Sequence, residues 1–176
     1  LAEVWQARLG PVAATLHVPA FLPGGRTTVD GVHRLHGEPV STTAFAQDRL
    51  FGYSTSDLAA WLEEKSAGSI PADTVARLDL GLLDRAAAAR TGGDPSGFVD
   101  LLQRLDSFHR NQPVVVDATR PEQLTALGAA LDQLRSRKRF LFRSAASLLN
   151  GLVDGGPVPL GPQPLDWAGL AGLRRK

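Results

Sequence analysis

The sequence predicts an α/β fold, a mostly parallel sheet flanked by helices, with one β-hairpin inserted. Three observations lead there. Short, largely apolar runs at residues 12–18, 114–116 and 140–142 have the length and Val/Leu/Phe content of buried strands. Helical spacing of apolar residues fills 82–90, 98–108 and 119–134, between those runs. Residues 27–40 instead favour extended structure, with the turn cluster His36-Gly37-Glu38-Pro39 near their end.

In order, residues 1–9 read as the end of a helix with Leu1, Val4, Trp5 and Leu9 on one face, stopped by Gly10-Pro11. The strand at 12–18 runs into Pro19 and Pro23, which remove backbone donors and turn the chain out of the sheet. Gly24-Gly25 allows a tight turn and a close backbone approach. Arg26, Thr27 and Thr28 follow directly. A loop at the carboxyl end of a strand is where open α/β sheets place ligands. A guanidinium fork there matches a carboxylate or a phosphate. The same residues also suit a plain turn, with Arg26 paired to a structural carboxylate. In the hairpin at 27–40, His33 and His36 fall on opposite faces and have no third ligand nearby, so no metal site is expected.

Residues 41–55 form a polar connection with Phe45, Phe51 and Tyr53, either covering the hairpin or closing over a site. Asp48 in it is a turn acid or a ligand-facing one. Ser56 or Asp57 caps a helix through Leu58, Trp61 and Leu62, which Gly68 ends; Trp61 reads as core. Residues 70–80 read as a short strand and one helical turn. Residues 91–97 are a surface loop. Asp117 ends the strand at 114–116, as a cap for the next turn or as a ligand-positioning acid. Thr119 and Glu122 match a capping box, with Pro121 in the first turn. The basic cluster 135–139 suits the helix's C-terminal end. After 140–142, Arg143-Ser144 opens a helix whose free N–H groups suit an anion. Residues 155–161, rich in Pro and Gly, read as a linker, followed by a short apolar tail with Trp167.

Composition sets bounds. At 176 residues with 43% hydrophobic and 21% charged residues, the chain is sized and composed for one globular domain. A net charge of +1 gives no field for nucleic acid or a membrane surface. No cysteine means no disulfide and no thiolate metal site, which fits a cytoplasmic protein. No apolar run approaches a membrane span. There is no Walker A loop and no dinucleotide fingerprint.

Four stretches, in order and spacing, resemble the four-carbon acid sugar kinase family. They are Pro19-Ala20-Phe21-x-Pro23-x-Gly25-Arg26-Thr27-Thr28-x-x-Gly31-Val32-His33; Phe45-Ala46-Gln47-Asp48 through Ser56-Asp57-Leu58; Val114-Val115-Val116-Asp117-Ala118; and Phe140-Leu141-Phe142-Arg143-Ser144-Ala145-Ala146-Ser147. The resemblance implies the later part of a sugar-acid-binding domain at 1–154, with 155–176 as a linker toward a nucleotide-binding domain of the same parent chain. It implies an enzyme that phosphorylates a hydroxyl of a small sugar acid, with ATP and Mg²⁺ as cofactors of the full-length enzyme and none held by this chain. Gly25, Arg26, Thr27, Asp48, Asp117 and Ser144 are the substrate-binding candidates. Partners are the small sugar acid and that second domain, and a homodimer is compatible with it. The family's Asp-Asp-x-Thr-Gly-Ala and Lys-x-Asp-Ser-Thr-Leu-Arg-Gly segments have no counterpart, as expected of a fragment, so the catalytic residues are expected outside this chain. Two stretches depart from the common pattern: Asp48-Arg49-Leu50 replaces Asp-Pro-Leu, and Arg143-Ser144-Ala145-Ala146 replaces Gly-Ser-Ala-Gly. A non-catalytic acid-binding or regulatory α/β domain is the alternative.

Overall fold

The structure, a computed structural model, describes residues 7–8, 10–48 and 52–153. The linker, the apolar tail and nearly all of the first helical stretch lie outside the described residues.

Four parallel strands make the main sheet: β1 (Ala14–Val18), β5 (Ala76–Leu78), β6 (Gln112–Val116) and β7 (Phe140–Ser144), in spatial order β5-β6-β1-β7. The register sets Leu16 beside Val114 and Phe142, and His17 beside Val115 and Arg143. Successive side chains in a strand point to opposite faces. Ala14, Leu16, Val18, Val114 and Val116 therefore face one way. There they meet four helices: α2 (Leu80–Arg90), α3 (Ser96–Ser107), α4 (Pro121–Leu134) and α5 (Ala146–Leu152). Val115, His17 and Arg143 face the other way, toward α1 (Leu58–Lys65), whose Leu58 and Leu62 pack with Val115. The class predicted from the apolar runs is the one observed.

The helices start where the sequence supplies caps. Asp57 accepts from Ala60 N at 2.8 Å and Asp79 from Leu82 N at 2.8 Å. At α4 the expected Thr119–Glu122 box does not form. Gln123 Oε1 instead accepts from Thr119 N at 2.8 Å and Arg120 N at 2.9 Å, because the helix begins one residue later than that box requires, with Pro121 at its first position. Helices α4 and α5 touch backbone to backbone where Gly128 meets Gly151. Among the described residues no helix is long and apolar enough to cross a membrane.

The segment expected as one hairpin is a three-stranded antiparallel meander: β2 (Arg26–Val29), β3 (Val32–Leu35) and β4 (Glu38–Pro39). Two tight turns make the difference. Asp30-Gly31 (φ 53 and 78) and His36-Gly37 (φ 49 and 89) both put two successive residues in the left-handed region, as two-residue hairpin turns require. The meander is tied to the main sheet by paired backbone bonds between Thr28 and Ala118, each 3.0 Å. It is tied to the start of α1 by Leu58 N donating to Gly31 O at 2.9 Å.

Candidate functional site

The loop from β1 to β2 positions the central side chain. Phe21 and Arg26 exchange two backbone hydrogen bonds of 3.0 Å, closing a loop over a single turn of 3₁₀ helix, Leu22–Gly24. Gly25 sits at φ 69, and a Cβ there would overlap the His36 ring. The turn therefore needs glycine for both conformation and space. Leu22 N donates to Ser147 Oγ at 3.0 Å, so the loop is fastened to α5.

Alternation along β2 then sorts the hydroxyl residues. Arg26 and Thr28 share one face, and Thr27 points to the other. Thr28, fully buried, has its Oγ1 3.1 Å from Nδ1 of His33, its cross-strand partner. Arg26 lies with its guanidinium 5.2 Å from the centre of the Phe45 ring, a cation–π contact. Arg26, His33, Phe45, Asp48 and Tyr53 line a cavity of about 420 Å³ between the meander and the 41–48 segment. That segment forms two short 3₁₀ turns, Val40–Thr42 and Ala44–Gln47, so it is a wall of the cavity.

Electrostatics in this cavity follow from burial. Desolvation first, and then the Arg26 guanidinium, lower the pKa of His33 to about 4, so its ring is neutral at pH 7. Burial pushes the Tyr53 hydroxyl upward, leaving it a neutral donor and acceptor. The cavity thus offers one guanidinium, one carboxylate and neutral polar groups. That set suits a carboxylate carried on a hydroxylated body.

His33, Val40 and Tyr53 also line a second, adjoining cavity of about 170 Å³. Its far end is His17, Trp61 and Arg143 on the α1 face of the main sheet. The Arg143 guanidinium lies 4.6 Å from the centre of the Trp61 ring. Trp61 itself is half-buried against Leu58 and Leu62, so it is core on one side and a platform on the other.

The remaining candidates lie elsewhere. Asp117 is fully buried beneath the β2–β3 turn, where its Oδ1 accepts from Gly31 N at 2.9 Å. Ser144 ends β7, exposed, and α5 begins only at Ala146, with Ala145 as its cap. Arg26 and Asp48 line the same cavity; Gly25 shapes the loop before Arg26; Thr27, Asp117 and Ser144 do not line it. Phe45, His33 and Tyr53 are not among the sequence's candidates, although the period of two from Arg26 points to Thr28 and its partner His33.

An α/β domain with a guanidinium-containing cleft beside the carboxyl end of its first strand is the class that fold and geometry define. The profile of the family described as "Sugar-binding N-terminal domain" matches residues 1–152, and the chain belongs to that family, the domain of the four-carbon acid sugar kinases that the motifs resemble. Solved structures share the fold. A Haemophilus influenzae protein superposes with a TM-score of 0.59 at 15% identity, over 83% of this chain and 31% of its own. A protein from Salmonella typhimurium LT2 described as a putative tRNA synthase gives 0.57 at 18% identity, over 85% and 32%. A Bordetella bronchiseptica protein, described as a domain of unknown function with bound citrate and a domain-swapped dimer, gives 0.55 at 24% identity, over 80% and 29%. The chain therefore spans about a third of the length of these proteins. No curated protein matches it.

Proposed function

We propose that this domain holds a small hydroxylated carboxylic acid in the larger cavity, as the acid-binding part of an ATP-dependent sugar-acid kinase. One observation carries the reading: Arg26 is held against Phe45 at the cavity wall beside neutral His33, Tyr53 and the carboxylate of Asp48. The guanidinium receives the ligand carboxylate through two charge-assisted bonds. Asp48 accepts from ligand hydroxyls, and His33 and Tyr53 hydrogen-bond them without adding charge. The citrate bound by the Bordetella protein is a hydroxylated carboxylate of the same chemistry.

Phosphoryl transfer asks a protein for positioning and charge stabilisation. In this reading the acid is held by these residues, and ATP with its Mg²⁺ is brought by the rest of the full-length enzyme.

Calorimetric titration with threonate tests this. Arg26→Ala should weaken binding roughly ten- to a hundredfold, the equivalent of losing about 1.5–3 kcal/mol of charged hydrogen bonding. Arg26→Lys should recover only part, because a point charge lacks the fork. A purely structural arginine would lower the melting temperature and leave affinity in the folded fraction unchanged. That outcome in a well-folded Arg26→Ala protein overturns the assignment.

A further inference from the structure

Five cations meet at the end of the parallel sheet opposite the loop that leads to Arg26. Arg110, from the link between α3 and β6, joins Arg135, Arg137, Lys138 and Arg139, from the link between α4 and β7. With Val12 and Phe108 they line a cavity of about 550 Å³. The five residues of β1, at about 3.3 Å each, set it roughly 16 Å from the start of that loop.

The charge in this cavity is not balanced. Asp106 lies 3.7 Å from both Arg137 and Lys138, and Asp132 lies 3.2 Å from Arg135. Among the described residues Arg110 and Arg139 form no ion pair. Two carboxylates against five cations leave three positive charges in excess, on a chain whose net charge is +1. The C-terminal ends of α3 and α4 offset about half a charge each, so roughly two remain. Lys138 serves α3 itself, donating to the carbonyl of Asp106 and, at 2.8 Å, to that of Phe108.

Backbone strain falls at the same place. Arg110 and Asn111 are successive residues in the left-handed region, at φ 57 and 54. Asparagine tolerates that region and arginine does not, so the turn alone calls for glycine or asparagine at 110. Asn111 fixes the turn: its N–H donates to Val12 O at 2.8 Å, and its Oδ1 accepts from Thr15 Oγ1 at 2.7 Å. Strain kept at a cavity wall points to a use for the side chain carried there. Arg139 has its own allowance of space. Its Nη1 lies 3.2 Å from where a Cβ on Gly10 would stand.

We propose that this cavity binds the phosphate group of a small molecule, held by Arg110 and Arg139, as a second site remote from the acid cavity. A carboxylate brings one charge and two acceptor atoms. A phosphate monoester brings about 1.5–2 charges and three acceptor oxygens, enough to neutralise the excess and to engage both guanidinium forks. The assignment stands independently of the reading of Arg26.

Inorganic phosphate and pyrophosphate, titrated calorimetrically into the full chain in chloride buffer, provide the test. Pyrophosphate should bind with Kd below about 1 mM. Arg139→Gln should weaken it about tenfold. Arg110→Asn should do the same while melting no lower than wild type, because asparagine suits the turn; a purely structural arginine would leave the affinity unchanged. Arg85→Gln, which removes an exposed charge on α2, should change the affinity by less than about twofold. Arg26→Ala should leave it unchanged, and in that variant inorganic phosphate should bind more tightly than succinate. Absence of pyrophosphate binding, binding lost in Arg26→Ala but kept in Arg110→Asn and Arg139→Gln, an equal loss in Arg85→Gln, or succinate matching phosphate overturns the proposal.

Discussion

Oδ1 of Asp117, at the end of β6, accepts a hydrogen bond from the backbone N–H of Gly31, in the tip of the β2–β3 turn. The two residues are 86 apart in sequence. The bond fixes the meander, and with it Arg26 and His33, over the end of the parallel sheet. Burial pushes the Asp117 carboxyl upward, and its Oδ2 has no partner among the described residues. A raised folded-state pKa makes this group less favourable to folding as pH rises above the unfolded value of 3.8. Asp117→Asn keeps the acceptor and removes the buried charge, so it should melt no lower than wild type at pH 7, with its relative advantage shrinking toward pH 4. Asp117→Ala leaves Gly31 N unpaired and should cost about 1–3 kcal/mol by urea unfolding. An alanine variant as stable as wild type would remove the bond from the account of the site.

Acid should unfold the domain through its buried histidines. His17 and His33 both have pKa values lowered from 6.5 to about 4, by burial first and a neighbouring arginine second. Unfolded chains therefore bind these protons more readily than the folded one. The stability present above pH 6.5 is lost as pH falls toward 4. By about pH 5 each should have cost roughly 2 kcal/mol. His17→Gln should show a smaller loss of urea midpoint between pH 7 and pH 5 than wild type. An identical pH profile would mean that His17 is protonated in the fold.

Gly25→Ala should destabilise the β1–β2 loop twice over, through its positive φ and through the His36 ring. Roughly 1–3 kcal/mol is expected. Adding His36→Gly should restore the steric share and leave the conformational share. No recovery in the double variant would show that φ alone sets the cost.

Phe45→Ala removes the ring beneath the Arg26 guanidinium. A cation–π contact at an exposed position contributes about 0.5–1 kcal/mol. Acid affinity should fall about two- to fivefold, with little change in melting temperature, since Phe45 is largely exposed. A drop in melting temperature with affinity intact would make Phe45 a packing residue.

Much of the fold is legible because apolar runs and strand placement coincide. Residues 12–18, 114–116 and 140–142 fall on three of the four parallel strands. The fourth, Ala76–Leu78, lies in the 70–80 stretch that reads as a short strand and one helical turn, but at three residues it is too short for any period to fix its bounds. The meander reads as a single hairpin in sequence because His36-Gly37 sits in an obvious turn cluster. Asp30-Gly31, an Asp-Gly pair with the same turn chemistry, stands among extended-favouring residues that mask it. Arg26 is legible through the glycines before it. Its surroundings are not, since His33 and Tyr53 reach the cavity through strand pairing and loop closure, which spacing along the chain does not encode. His17 lies within an apolar run, where alternation turns it away from Leu16 and Val18 onto the opposite face of the sheet.

The hydrogen bond from Leu22 N to Ser147 Oγ has a mechanical consequence. Leu22 stands four positions before Arg26, and Ser147 lies in the first turn of α5. The bond is a strut between the β1–β2 loop and the helix that follows β7, so a displacement of either segment is passed to the other. Ser147→Ala would free the two to move independently, loosening the loop that presents Arg26 while leaving the parallel sheet beneath it intact.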